Sequence, residues 1–170
     1  SITSKEALAN PFDERVTISS GFIRIPILRG VITDTHFVKR DRLGRLLVFL
    51  ARILAAGKTR PVSGVAVDEG NAVLLEPDGA STLSGPGTAY FIRATEPAQV
   101  CEAGKPLTFR NVTVYRIDNS GSFNLKSWRG EKGTAYLLNV VEGAVKGHKG
   151  QSAYDARGPV RMMGACERFI

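Results

Sequence analysis

Three stretches decide the fold: Ile27-Leu28-Arg29-Gly30-Val31-Ile32-Thr33-Asp34, the segment over residues 41–56, and Val62-Ser63-Gly64-Val65-Ala66-Val67. The first is a short β-branched apolar run ending in polar residues, the pattern of a buried strand whose C-terminal end opens on a site. In the second, Leu43, Leu47, Leu50 and Leu54 recur at helical spacing, and Leu46 and Ile53 widen the stripe. Asp41 stands where an N-cap is expected and Gly57 where the helix should stop. The third alternates small and β-branched residues and runs into a turn, Asp68-Glu69-Gly70-Asn71, before a further short strand over residues 72–75. Strand, helix and strand over this length define a βαβ unit and an α/β fold class.

Outward from this unit the signals change. Residues 1–29 read as a connecting segment with one short helix, Asn10-Pro11 marking a turn. Residues 30–76 hold the βαβ unit, and residues 77–145 read as antiparallel strands and hairpins. Gly79, Gly85, Pro86 and Gly87 punctuate this part, and Gly121, Gly130, Gly133 and Gly143 mark its turns. Strands are expected over residues 90–94, 107–115 and 135–141. Trp128, Tyr136 and Phe123 are read as core and hairpin packing. Residues 146–170 form the tail, Gly-rich, polar and expected to be loose over 146–159, with apolar content returning over 161–170. No repeat of fixed period is visible.

The chain has 170 residues, 43% of them apolar and 23% charged, as expected of one globular domain or half-domain. Lys and Arg number 23 against 16 Asp and Glu, a net charge of +7 with a pI near 9.7. That charge is interspersed with acids except at Lys39, Arg40, Arg42 and Arg45, and no aromatic-interleaved basic stripe accompanies it, so nucleic acid is not the expected partner. The longest apolar candidate for a membrane span, residues 43–57, is broken by Arg45 and Arg52. Cys101 and Cys166 do not form a CxxC pair and fit either one bridge in an exported protein or two buried thiols. Localisation therefore stays open, leaning to export. The chain begins at Ser1 with no recognisable leader, as expected of a fragment or of a chain cut from a longer precursor.

His36 lies just past the first strand, and Glu69, 33 positions further on, lies just past the next. If those strands are parallel, both side chains stand at one edge of the sheet, where α/β sites assemble. A carboxylate there can orient an imidazole and stabilise its charged form. The alternatives are a structural histidine and an unpartnered acid in a turn.

The run Thr33-Asp34-Thr35-His36-Phe37-Val38-Lys39-Arg40-Asp41-Arg42-Leu43-Gly44-Arg45, with Gly64-Val65-Ala66-Val67-Asp68-Glu69-Gly70-Asn71-Ala72, resembles the cyanophycinase branch of the dipeptidase E-like serine peptidases. The matching pattern is D-x-H-F, then R-x-R-x-x-R leading into a Leu-rich helix, then a strand and turn carrying D-E. It covers residues 30–75, with a weaker echo at Gly133-Thr134-Ala135-Tyr136. The resemblance implies a flavodoxin-like or amidotransferase-like three-layer sandwich with a mostly parallel sheet, no cofactor, and a peptide substrate carrying an Asp-type carboxylate. It makes His36 the general base, Glu69 its carboxylate partner, and Asp34, Arg40, Arg42 and Arg45 substrate-pocket residues. Thr35 stands where the family usually has Gln, a departure that bears on substrate choice.

The family's nucleophile elbow, G-x-S-A-G, is missing from this sequence. Gly150-Gln151-Ser152-Ala153-Tyr154 lacks the final Gly and follows Lys149 rather than an apolar strand. The expectation is a C-terminal half whose nucleophile Ser and oxyanion hole come from an N-terminal partner chain or segment, after processing or in a longer chain. Homo-oligomerisation is compatible with this, and membrane insertion is not expected. Two alternatives stand beside it. Ser1 could act as an N-terminal nucleophile freed by cleavage, or the chain could be a non-catalytic binding relative. Asp34 and His36 lack a nearby third ligand for a metal, and His148 reads as a solvated loop residue. The Lys39–Arg45 charges suit either a wet helix start or a carboxylate pocket, the latter because a guanidinium grips a carboxylate with two parallel donors.

Overall fold

The structure, a computed structural model, describes residues 2–19, 24–57, 61–147 and 152–154. Its elements are α1 (Ser4–Ala9), β1 (Val31–Asp34), α2 (Leu43–Ala55), β2 (Val62–Val67), β3 (Ala72–Leu75), β4 (Ala80–Ser84), β5 (Ala89–Ala94), β6 (Phe109–Ile117), β7 (Ser122–Asn124), β8 (Arg129–Glu131), β9 (Thr134–Val141) and β10 (Ala144–Lys146). They build two sheets, one of six strands in the order β1-β2-β5-β6-β9-β10 and one of four in the order β3-β4-β7-β8. β1 and β2 pair in parallel through the α2 crossover, with Asp34 opposite Ala66. Every other pair is antiparallel. The chain is thus mixed α/β, with the expected antiparallel strands in its C-terminal half, and its parallel part is the β1–β2 pair.

Alternation along the central strands sorts the core into two layers. Val62 and Ala66 of β2, Tyr90 and Ile92 of β5, Val112 and Val114 of β6, and Leu138 and Val140 of β9 bury toward the helices. Leu43, Leu46, Leu47, Leu50 and Leu54 of α2 meet them, so the leucine stripe is the face that packs. Val65, Phe91 and Ile117 point the other way and are covered by Leu83, Phe123 and Leu125 of the smaller sheet and its turns. Phe91 stacks on Phe123 with ring centroids 4.0 Å apart, and Trp128 meets Phe123 edge-on at 4.9 Å. Arg93 closes this layer, its guanidinium 3.6 Å from the Trp128 ring centroid. Tyr136 is buried on the opposite, helix-covered face, so it does not share a cluster with Phe123 and Trp128.

The helix ends correct one expectation. α2 begins at Leu43 after Arg42, and Asp41 is not its cap, because Asp41 adopts a left-handed φ of 46° that turns its carboxylate elsewhere. The first N–H groups are capped from outside the helix: Leu43 donates to the Tyr154 hydroxyl at 3.0 Å and Arg45 to Ser4 Oγ at 3.2 Å. Gly57 does follow the last turn, with φ 65°. α1 carries a capping box between Thr3 and Glu6 and lies against α2 at Gly44, where an added Cβ would sit 2.5 Å from Leu8 Cδ1. The first strand is shorter than the apolar run, since Pro26–Leu28 forms a single 3-10 turn instead. Among the described residues no helix is long and apolar enough to cross a membrane.

Candidate active site

The parallel pairing of β1 and β2 brings both C-terminal ends to one edge of the six-stranded sheet. His36 sits two residues beyond β1 and Glu69 two beyond β2. Phe37 N–H donates to the Val67 carbonyl at 3.2 Å, extending the contact between the strands to the histidine itself. His36 Nδ1 lies 3.0 Å from Glu69 Oε2. With a carboxylate acceptor at that distance Nδ1 carries the proton, which leaves Nε2 as the basic nitrogen. Among the described residues nothing hydrogen-bonds to Nε2. His36 has φ 51°, a left-handed conformation uncommon for a residue with a Cβ, of the kind that gathers at sites.

Lys39 is the neighbour that sequence reasoning did not assign to the site. Its ammonium pairs with the other carboxylate oxygen of Glu69, so each oxygen of Glu69 has its own cationic or donor partner. Lys39 N–H also donates to Asp68 Oδ2 at 3.1 Å, tying the loop after β1 to the loop after β2. The side chains of His36 and Glu69 are 34% and 42% exposed. Two recesses lie elsewhere, one against α1, Gly44 and Tyr154 and one on the smaller sheet over Thr82, Asn124 and Glu131. The His36–Glu69 pair is partly exposed.

Asp34, Arg42 and Arg45 form a second cluster beneath the pair. The Asp34 side chain is 7% exposed, and its two oxygens accept from Arg45 Nη2 at 2.7 and 2.8 Å. Arg42 Nη1 adds a contact to Asp34 at 3.2 Å and donates to the Thr35 carbonyl at 2.8 Å, directly before His36. Two guanidiniums on one carboxylate leave the cluster net positive. Arg40 is exposed, and among the described residues its side chain makes no ion pair.

Ser1, Cys166 and His148 lie outside the described residues. Ser152 is exposed, and its hydroxyl accepts from the Tyr154 N–H at 3.3 Å. Cys101 is a free thiol, half-buried. Among the described residues no three His, Cys, Asp or Glu side chains converge as a metal cage would need.

The arrangement is that of an α/β chain presenting a histidine–carboxylate pair at parallel strand ends. No protein-family model matches the sequence. The chain is 31% identical over 114 residues to a cyanophycinase of Trichormus variabilis and to one of Nostoc sp., in each case over 65% of this chain and 35% of the relative. It is 26% identical over 106 residues to a cyanophycinase of Synechococcus elongatus, covering 59% of this chain and 31% of that protein. The relationship is cyanophycinase-like at low identity, and the chain spans about a third of the length of these relatives.

Proposed function

We propose that this chain is the C-terminal part of a serine-type hydrolase of cyanophycinase-like kind, cleaving peptide or isopeptide bonds beside an aspartyl residue. The observation that carries the reading is the His36 Nδ1–Glu69 Oε2 contact of 3.0 Å, with no hydrogen-bond partner on Nε2 among the described residues. The similarity to cyanophycinases supports it independently. A serine from an N-terminal segment attacks the scissile carbonyl while Nε2 of His36 takes its proton. The tetrahedral intermediate collapses as the imidazolium returns that proton to the leaving amine, and Glu69 stabilises the imidazolium between the two steps. A second round, with water in place of the serine, releases the acyl group.

The substrate's carboxylate meets Arg40, which, unlike Arg42 and Arg45, makes no ion pair among the described residues. Asp34 fixes Arg42 and Arg45, so these two raise the local positive potential, and Arg42 holds the backbone at Thr35. The N-terminal segment supplies the nucleophile and oxyanion hole and continues the sheet beyond β1, whose outer side pairs with no strand among the described residues.

The test uses the protein purified natively with any co-purifying or preceding segment, incubated with β-aspartyl dipeptides and, separately, with a serine-directed phosphonate. Release of the amine, with phosphonate labelling of a serine in the N-terminal segment, is the expected result. Turnover that survives His36→Ala, or labelling at no serine while turnover continues, contradicts the proposal.

A further inference from the structure

The loop carrying His36 has a conformation that its own residues do not favour. Between β1 and α2 it contains two non-glycine residues in the left-handed region, His36 at φ 51° and Asp41 at φ 46°, each costing about 1 kcal/mol or more. Its internal bonds, Arg40 N–H to the His36 carbonyl, Asp41 N–H to Val38 and Arg42 N–H to Phe37, wind it upon itself, while Phe37 N–H to Val67 and Lys39 N–H to Asp68 tie its first half to β2 and the turn after it.

The Asp41 end is held by the Ser4 hydroxyl, which donates to the Asp41 carbonyl, and by a side chain from the far end of the chain. Tyr154, 113 residues after Asp41, donates its hydroxyl proton to Asp41 Oδ1 at 2.7 Å and accepts the Leu43 N–H at 3.0 Å. Its ring meets Phe37, the residue next to His36, edge-on at 5.5 Å. Tyr90 meets Phe37 at 5.2 Å and Tyr154 at 6.2 Å, so the three rings form one cluster in which Phe37 is fully buried. The segment bearing Tyr154 is itself held, because Tyr90 donates to the Tyr154 carbonyl at 3.2 Å and Tyr136 to the Ala153 carbonyl at 3.0 Å. Burial pushes the Tyr154 phenol far above its ordinary range, so it remains a donor to Asp41 at any working pH.

We propose that Tyr154 is a positioning residue for His36, reaching from the C-terminal tail to hold the loop in the geometry that points Nδ1 at Glu69. The hydroxyl pins the Asp41 end of the loop and the start of α2, and the ring pins Phe37. This rests on the reading of His36 as the base. A misplacement of the imidazole by about 1 Å costs on the order of a hundredfold in rate, whereas a side chain that only adds stability leaves the folded enzyme's turnover unchanged.

The experiment compares the whole protein with Tyr154→Phe and Tyr154→Ala, each carrying His148→Gln so that His36 is the remaining histidine of this chain's two, its signals assigned by their loss in His36→Ala. Two readouts are taken: two-bond imidazole proton–nitrogen correlation spectra, and kcat and KM on a β-aspartyl dipeptide. Tyr154→Phe keeps the ring and loses both hydroxyl bonds. It is expected to shift the His36 nitrogen signals away from their wild-type positions and to lower kcat about tenfold with KM unchanged, and Tyr154→Ala to lower kcat about a hundredfold. Unchanged nitrogen signals and unchanged kcat in a folded Tyr154→Phe overturn the proposal, and that isosteric variant decides the matter if Tyr154→Ala does not fold. A wild-type protein without turnover removes the functional reading alone, because the imidazole spectra still show whether Tyr154 governs the His36 geometry.

Discussion

Glu69 Oε2 stands 3.0 Å from His36 Nδ1 across 33 residues of chain, because β1 and β2 run parallel and end together. Glu69 also holds Lys39 through its other oxygen, and Lys39 returns a backbone bond to Asp68. The two loops therefore form one unit, and a change in either is felt at the imidazole. Replacing Glu69 by Gln keeps the shape but removes the charge that favours the imidazolium. Turnover is expected to fall about a hundredfold or more, with KM little changed, in steady-state assays of the complete protein.

Asp34 is a buried anion between two cations, so its removal leaves two guanidiniums partly buried without a counter-charge. Asp34→Ala should destabilise the fold by about 3–5 kcal/mol, seen as a lower urea midpoint at unchanged slope. A midpoint shift below about 1 kcal/mol would mean that the cluster is hydrated in solution.

Arg40 and Arg42 differ in what they touch, and their variants should differ in kind. Arg40→Ala is expected to raise KM for aspartyl substrates about tenfold and leave the urea midpoint in place. Arg42→Ala, which loses Asp34 and the Thr35 carbonyl, should lower that midpoint as well. Kinetics and denaturation on the same preparations separate the two.

Gly44 marks the closest approach of α1 to α2, an added Cβ meeting Leu8 Cδ1 at 2.5 Å and Ser4 Cβ at 2.8 Å. Alanine is the better helix former by about 1 kcal/mol, yet Ser4 Cβ is fixed to backbone and cannot swing aside. Gly44→Ala is expected to cost about 1–3 kcal/mol net, measured by thermal or urea unfolding.

Burial pushes the Cys101 thiol up, the neighbouring charge of Arg52 opposing only in part. Since the thiolate is the reacting species, alkylation of Cys101 in a Cys166→Ser variant should be slower at pH 7.5 than that of a free thiol. It should climb steeply only in alkali, as followed by intact mass against time.

The βαβ unit was legible in the sequence because each of its parts is written in one dominant signal: β-branched runs for β1 and β2, and a leucine stripe for α2. The same parallel pairing made the meeting of His36 and Glu69 foreseeable. The start of α2 was not, since Asp41 looks like a cap in composition while its left-handed backbone and its bond to Tyr154 give it another task. The smaller sheet was obscured by strands of three to five residues whose outer faces carry Ser, Thr, Asn and Arg, and by a β4–β7 pairing between distant segments. Tyr154 was hidden for a related reason: it lies in a polar, Gly-rich tail, and only the packed structure shows what its ring and hydroxyl reach. Lys39 was visible as charge but not as the second partner of Glu69.

The most direct test of the central claim is the rate of β-aspartyl dipeptide hydrolysis by the natively purified protein and by His36→Ala, with circular dichroism recorded on both. The account predicts measurable turnover in the wild type and a loss of about a thousandfold or more in the variant, with unchanged spectra. A folded His36→Ala protein that hydrolyses the dipeptide at the wild-type rate would contradict it.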